Sequence, residues 1–200
     1  MNFKKAGVFI FAGIAALTFA ACSGMKVTRV DSDEVVDLSG NWNDTDSQLV
    51  AQEMIEESLQ NPWYDDFMKA NSKKPRVIIG SVLNKTEEHI PTETFVKDLE
   101  RNLLDSGKVT FVASSDQRQE VRAEREDQQY NAAAPKAQRM ESGADFMIQG
   151  QINSIFDSNG KDKLKYYQIE LEIIDIQTNE KVWMGQTKIK KVVSRSSYKA

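Results

Sequence analysis

Alternation between apolar and polar positions is clearest in residues 143–193. Phe146, Ile148 and Ile152 fall on one side at period two with Gly150 between them, and Met147, Gln149 and Gln151 fall on the other. One dry face and one wet face define a half-buried strand. The polar break Asp157-Ser158-Asn159-Gly160 has turn chemistry. Tyr167, Ile169, Leu171 and Ile173 then alternate with Gln168, Glu170 and Glu172, and the phase slip at Ile173-Ile174 predicts a bulge. Thr178-Asn179 turns the chain again, and residues 182–193 return as a third strand. The pattern predicts an antiparallel three-strand meander whose apolar face needs a covering layer.

Upstream the period becomes helical. Thr45 with Gln48 three residues on has the form of a capping box, Asp46 adds charge near the helix start, and Ala51, Met54, Ile55 and Leu59 make the stripe behind it. Asn61-Pro62 is a second start signal, with Trp63/Phe67 and Tyr64/Met68 paired four apart. After Lys73-Lys74-Pro75, the run Arg76-Val77-Ile78-Ile79-Gly80-Ser81-Val82-Leu83 predicts a central strand buried on both faces. Residues 84–91 are a loop. A helix from Thr92 carries Val96, Leu99 and Leu103 and ends at Gly107 as its C-cap. Residues 109–112 predict a short strand. Ser114 or Ser115 then caps a charge-laced, solvated helix reaching about Tyr130. A last short helix is expected over residues 135–142, and a brief strand over 26–30. The sum is an α/β (α+β) fold: a single mixed sheet ending in the C-terminal antiparallel three-strand meander, covered by helices, with residues 38–200 as one domain.

The amino terminus changes the picture. Lys4-Lys5 precedes Ala6 to Ala21, which carries no charge and is rich in Val, Phe, Ile and Leu. The run is short for a span of ~20 residues and fits a secretory signal, residues 1–21. It meets Phe19-Ala20-Ala21-Cys22-Ser23, so the one cysteine of the chain sits where cleavage would expose it. This resembles a bacterial lipoprotein box, with Phe19 in place of the usual Leu. Acylated Cys22 would anchor the chain to a membrane, and Ser23, by analogy, favours the outer membrane. Cleavage removes Lys4 and Lys5 and takes the formal charge from −4 to −4 − 2 = −6. Residues 22–37 form the tether, with neither the length nor the proline of a long disordered linker; from Cys22 to Leu38 it spans at most ~55 Å.

Composition excludes several classes. A single cysteine forbids an internal disulfide, and a single histidine leaves no His/Cys metal cage. An acidic total shows no nucleic-acid footprint. No Gly-x-Ser-x-Gly elbow or phosphate-cradling glycine loop is present. His89 reads as a loop histidine, and Glu56-Glu57 and Asp65-Asp66 as solvated helix faces. The sequence calls for no cofactor and no catalytic residue. Charge is unevenly placed: residues 31–66 hold eleven acids and no Lys or Arg, whereas residues 181–200 hold five Lys, one Arg and no acid. These regions either neutralise each other within the fold or steer a charged partner.

The segment Leu38-Ser39-Gly40-Asn41-Trp42-Asn43-Asp44-Thr45-Asp46 resembles the opening of the LpoB-type penicillin-binding protein activators. So do Asn61-Pro62-Trp63, the strand after Pro75, the Gly143-Ala144-Asp145-Phe146 junction, Gly150, and the last hairpin with Trp183. The junction is shared with the TolB-amino-domain-like and CsgG-like proteins. The resemblance implies a non-catalytic, outer-membrane lipoprotein facing the periplasm that binds and stimulates a class A penicillin-binding protein. The alternative is an envelope assembly or secretion-associated lipoprotein of the TolB-amino-domain-like or CsgG-like type. Trp42, Asn43, Asp44, Trp63 and Trp183 are the candidate partner-binding residues; Trp42 leads because it lies in a loop between polar residues, and tryptophan is enriched at interface hot spots.

Overall fold

The computed structural model describes residues 27–31 and 34–194. The signal segment, Cys22 and the end of the basic tail, residues 195–200, lie outside the described residues. The chain divides into two units, Met1–Glu34 and Val35–Ala200. In the first, residues 27–30 form no strand, contrary to expectation.

The second unit contains α1 (Asp44–Gln60), α2 (Pro62–Asn71), β1 (Arg76–Asn84), α3 (Thr92–Asp105), β2 (Thr110–Phe111), α4 (Ser115–Asn131), β3 (Phe146–Ser158), β4 (Asp162–Asp175) and β5 (Lys181–Ser194). One five-stranded mixed sheet runs β2-β1-β3-β4-β5. β1 lies parallel to β2 and β3, while β3, β4 and β5 are antiparallel. The meander and the α+β class thus match the pattern of the sequence. The register shift between β4 and β5 falls at Ile173/Ile174, where the phase slips.

The dry face collects Phe146, Ile148, Ile152, Tyr167, Ile169, Leu171, Ile173 and Trp183 under Val50, Met54 and Leu59 of α1 and Phe95, Leu99 and Leu103 of α3. α2 closes the edge of this layer: the rings of Trp63 and Phe67 stand edge-on to Phe146 at 4.9 and 5.2 Å. Gly150 opposes Leu171 across the pair. A Cβ there would collide with the Glu170 carbonyl and lie 2.6 Å from a Leu171 methyl. Leu171 therefore fills the space a side chain would need.

Several details differ from the pattern. The first cap is Asn43: its side chain accepts from Asp46 N–H and the Asp46 carboxylate accepts from Asn43 N–H, both at 3.0 Å. Thr45 is the second residue of the helix, within its first turn. In α3, Ser106 is the C-cap and Gly107 is the left-handed residue after it, while Phe95, not Val96, is fully buried. β1 is dry on one face only. A register shift between Ile79 and Val82 carries Val77, Ile79 and Val82 to the core and leaves Leu83 exposed.

The short helix over residues 135–142 does not form. Arg139 is left-handed (φ 60) and Met140 has nothing to bury against. The segment instead lies along α4 as a polar strap: Glu141 receives Arg122 at 2.8 Å and Arg125 at 3.1 Å, and Gln129 reaches the Lys136 carbonyl. No residue of α4 is buried. The connection from β2 to β3 runs across the sheet opposite to the β1–β2 crossover, so a right-handed path places α4 on the other face. Arg118 and Arg122 accordingly share a shallow cleft with Ile78 and Met147.

Candidate functional site

Residues 37–46 lead the chain into α1, and three features fix their path. Gly40 is left-handed (φ +69), and a Cβ there would strike the Val193 side chain. The Trp42 N–H donates to the Tyr167 hydroxyl at 3.0 Å and weakly to Glu88 Oε2 at 3.4 Å. Asn43 caps α1 and donates through Nδ2 to Asp37 at 2.7 Å.

Two neighbouring lysines on the dry side of the sheet fasten this segment. Lys165 of β4 and Lys191 of β5 are register partners. Lys191 Nζ donates to Asp37 and Asp46, each at 2.7 Å, and to the Asn41 carbonyl at 3.2 Å. Lys165 Nζ donates to Glu88 Oε1 at 2.6 Å and to the Asn41 side chain. The Tyr167 hydroxyl completes the clasp by donating to the same Glu88 carboxylate, at 2.8 Å to Oε2.

The electrostatics follow from these partners. Burial raises the Glu88 pKa, but the hydrogen bonds from Lys165, Tyr167 and Trp42 outweigh it and hold the carboxyl below the ordinary range. Burial, then the Glu88 carboxylate, push the Tyr167 phenol well above its ordinary value. Burial disfavours the Lys191 ammonium, yet Asp37 and Asp46 more than compensate and raise it. The clasp spends its donors and acceptors on one another; among the described residues no buried side-chain nitrogen or oxygen lacks a partner.

The structure separates the candidate residues. Trp42 is half-buried, edge-on to Phe95 at 5.9 Å and to Tyr167 at 5.8 Å. Asn43 is half-buried in its cap, and Asp44 is exposed. Trp63 and Trp183 are each 6% exposed. The Trp63 indole N–H donates to the Ser58 carbonyl at 2.7 Å, and the Trp183 ring lies over Gly185. Neither ring is presented on the surface. His89 is exposed beside Glu88, and Glu56, Glu57, Asp65 and Asp66 face solvent. Among the described residues, no group of three His, Cys, Asp and Glu side chains is placed to hold a metal ion, and no helix is long and apolar enough to cross a membrane.

Glu88, Lys165, Tyr167 and Lys191 were not singled out by the sequence. The signal is present nonetheless: Lys165 and Lys191 occupy dry-phase positions of their strands, and a buried tyrosine hydroxyl needs a partner.

The other face of the sheet carries a polar ladder. Gln149 donates to Glu172 and Gln151 to Glu170, both at 2.8 Å; Gln186 reaches Glu170 at 3.2 Å, and Lys181 pairs with Glu172. Lys181 holds the Glu172 carboxyl below its ordinary range. The acidic and basic regions of the sequence meet only in part: Lys191 is neutralised by Asp37 and Asp46, whereas Lys188 and Lys190 point to the open face.

The family model described as peptidoglycan-synthase activator LpoB matches residues 46–189. The LpoB C-terminal domain from Salmonella enterica is similar in structure at 15% identity, covering 73% of this chain and 99% of that one, TM-score 0.44. The LpoB C-terminal domain from Escherichia coli has the same identity and coverage, TM-score 0.43. Lipoprotein GNA1162 from Neisseria meningitidis is similar at 10% identity, covering 62% of this chain and 88% of that one, TM-score 0.39. No curated protein matches the chain in sequence.

Proposed function

Because the chain belongs to the peptidoglycan-synthase activator LpoB family, we propose that it binds a bifunctional class A penicillin-binding protein and raises its peptidoglycan-synthesising activity without catalysing a reaction itself. The observation that carries this reading is the family match over residues 46–189, which takes in every helix and all five strands wholly or in large part. An activator of this kind works by binding the active conformation of the enzyme more tightly than the inactive one.

The lipoprotein box at Cys22 supports anchoring at the outer membrane with the folded unit in the periplasm. Trp42, Asn43 and Asp44, at the start of α1, are the candidate residues nearest to solvent, but their backbone and cap are committed to the clasp. Their contribution is to fix the lead-in segment and the first turn of α1. The test is the glycan polymerisation rate of class A synthases from the same cell, with and without the purified mature chain, residues 22–200, in detergent. A rise in rate with saturable binding is expected. A chain that captures envelope assembly proteins and leaves every such synthase unbound and unstimulated would refute the reading.

A further inference from the structure

We infer that the open face of the sheet at the β3–β4 hairpin end is the docking surface for the synthase, and that it takes an apolar partner surface carrying carboxylates. The inference rests on the activator reading above. In the middle of this face Gln and Glu are hydrogen-bonded to one another in the ladder, with Leu83 of β1 and Met184 of β5 exposed beside them. Toward the hairpin the composition changes. Ile155, Tyr166 and Lys190 form one cross-strand row, and Asp157, Leu164 and Val192 form the next. Ile155 and Val192 are 65% and 66% exposed. Ile155 and Val192 thus face water on the outer two of three adjacent strands, with the half-buried Leu164 and Tyr166 ring between them, where a solvated sheet would carry polar residues.

Lys190 lies in the first row and Lys188 two residues before it, so their ammonium stems start about 7 Å apart on the same face. Unlike Lys165 and Lys191, neither has an ion pair or hydrogen bond among the described residues. Unneutralised cations beside an apolar patch call for acidic groups at matching positions on the occupant. The remainder of the chain's own tail does not supply them, since it holds Arg195 and Lys199 and no acid. A lipid leaflet fits less well than a protein. The turn beyond the patch, with Asn159, Lys161 and Asp162, is polar and exposed, and would enter the leaflet first. α4 stands toward the other end of the face, by Ile78 and Met147, and leaves this end open.

The test compares the mature chain in detergent with Lys188→Glu/Lys190→Glu, with Lys188→Arg/Lys190→Arg, and with Lys163→Glu, whose side chain lies on the opposite face. All are checked for native circular dichroism and measured for synthase affinity and stimulation. The double reversal should weaken binding by roughly tenfold or more, the arginine pair should bind like the native chain, and Lys163→Glu should change affinity by less than about twofold. Undiminished binding by the folded double reversal, while the native chain still stimulates the enzyme, overturns the docking surface and leaves the activator reading standing. Equal loss in Lys163→Glu also overturns it, because general charge would then explain the effect. A native chain that neither binds nor stimulates a synthase overturns both. If the double reversal abolishes binding to phosphatidylglycerol vesicles or self-association, with synthase affinity intact, the occupant is a leaflet or a second copy and the inference fails.

Discussion

The Tyr167 hydroxyl sits between the Trp42 N–H and the Glu88 carboxylate, accepting from the first at 3.0 Å and donating to the second at 2.8 Å. One buried phenol thereby ties the lead-in segment, the β1–α3 loop and β4 together. Tyr167→Phe keeps the ring and removes the oxygen, leaving Trp42 N–H with only its 3.4 Å contact to Glu88. Chemical denaturation should show a loss of about 1–3 kcal/mol, with an unchanged denaturant slope if the fold stays cooperative.

Acid should weaken the same junction. The folded-state pKa of Glu88 lies below its ordinary value of 4.5. A depressed carboxylate contributes stability that is present above the unfolded-state value and is lost as pH falls through the folded one. Glu172, depressed by Lys181, acts in the same direction. Melting temperature should therefore drop below pH 4.5. Glu88→Gln should be less stable at neutral pH and should flatten that drop; an acid profile identical to the native one would contradict the assignment.

Gly150→Ala should destabilise the sheet by about 1–3 kcal/mol, since the new methyl must displace the Glu170 carbonyl or Leu171. Gly143→Ala is the control, because nothing lies within 4 Å of a Cβ at that position. Paired thermal melts of the two variants check the difference.

Trp63→Phe removes the indole donor and leaves the Ser58 carbonyl only the Asn61 N–H, at 3.2 Å, and should cost about 0.5–1.5 kcal/mol for the lost hydrogen bond. Because the ring is buried, affinity for the synthase measured on folded protein should not change. A loss of affinity at full folding would show that Trp63 acts in recognition.

Mass spectrometry of the membrane-extracted chain should find an acylated amino terminus at Cys22. Cys22→Ser should block acylation and release of residues 1–21.

The meander was legible because its two faces differ: Phe146, Ile148 and Ile152 against Met147, Gln149 and Gln151 fix the register by chemistry alone. The bulge at Ile173-Ile174 was legible for the same reason. β1 was harder, since Val77, Ile78 and Ile79 are equally apolar and only the shift at Gly80-Ser81 decides which side is buried. The strap at residues 135–142 misled because its composition suits a helix, whereas the salt bridges of Glu141 to Arg122 and Arg125 depend on tertiary placement. The clasp eluded the sequence for a related reason. Lys165 and Glu88 lie far apart along the chain, and nothing local signals that a lysine in a dry row meets a carboxylate from a distant loop.

Lys165 and Lys191 hold the lead-in segment against two strands before the chain reaches α1. Tension arriving along the backbone from residue 35 would meet Asp37 and Asn41 first, and pass sideways into β4 and β5 through their ammonium groups. The first turn of α1 is thereby shielded from unwinding when the incoming end is tugged, as a knot in a cord spares the stitching beyond it.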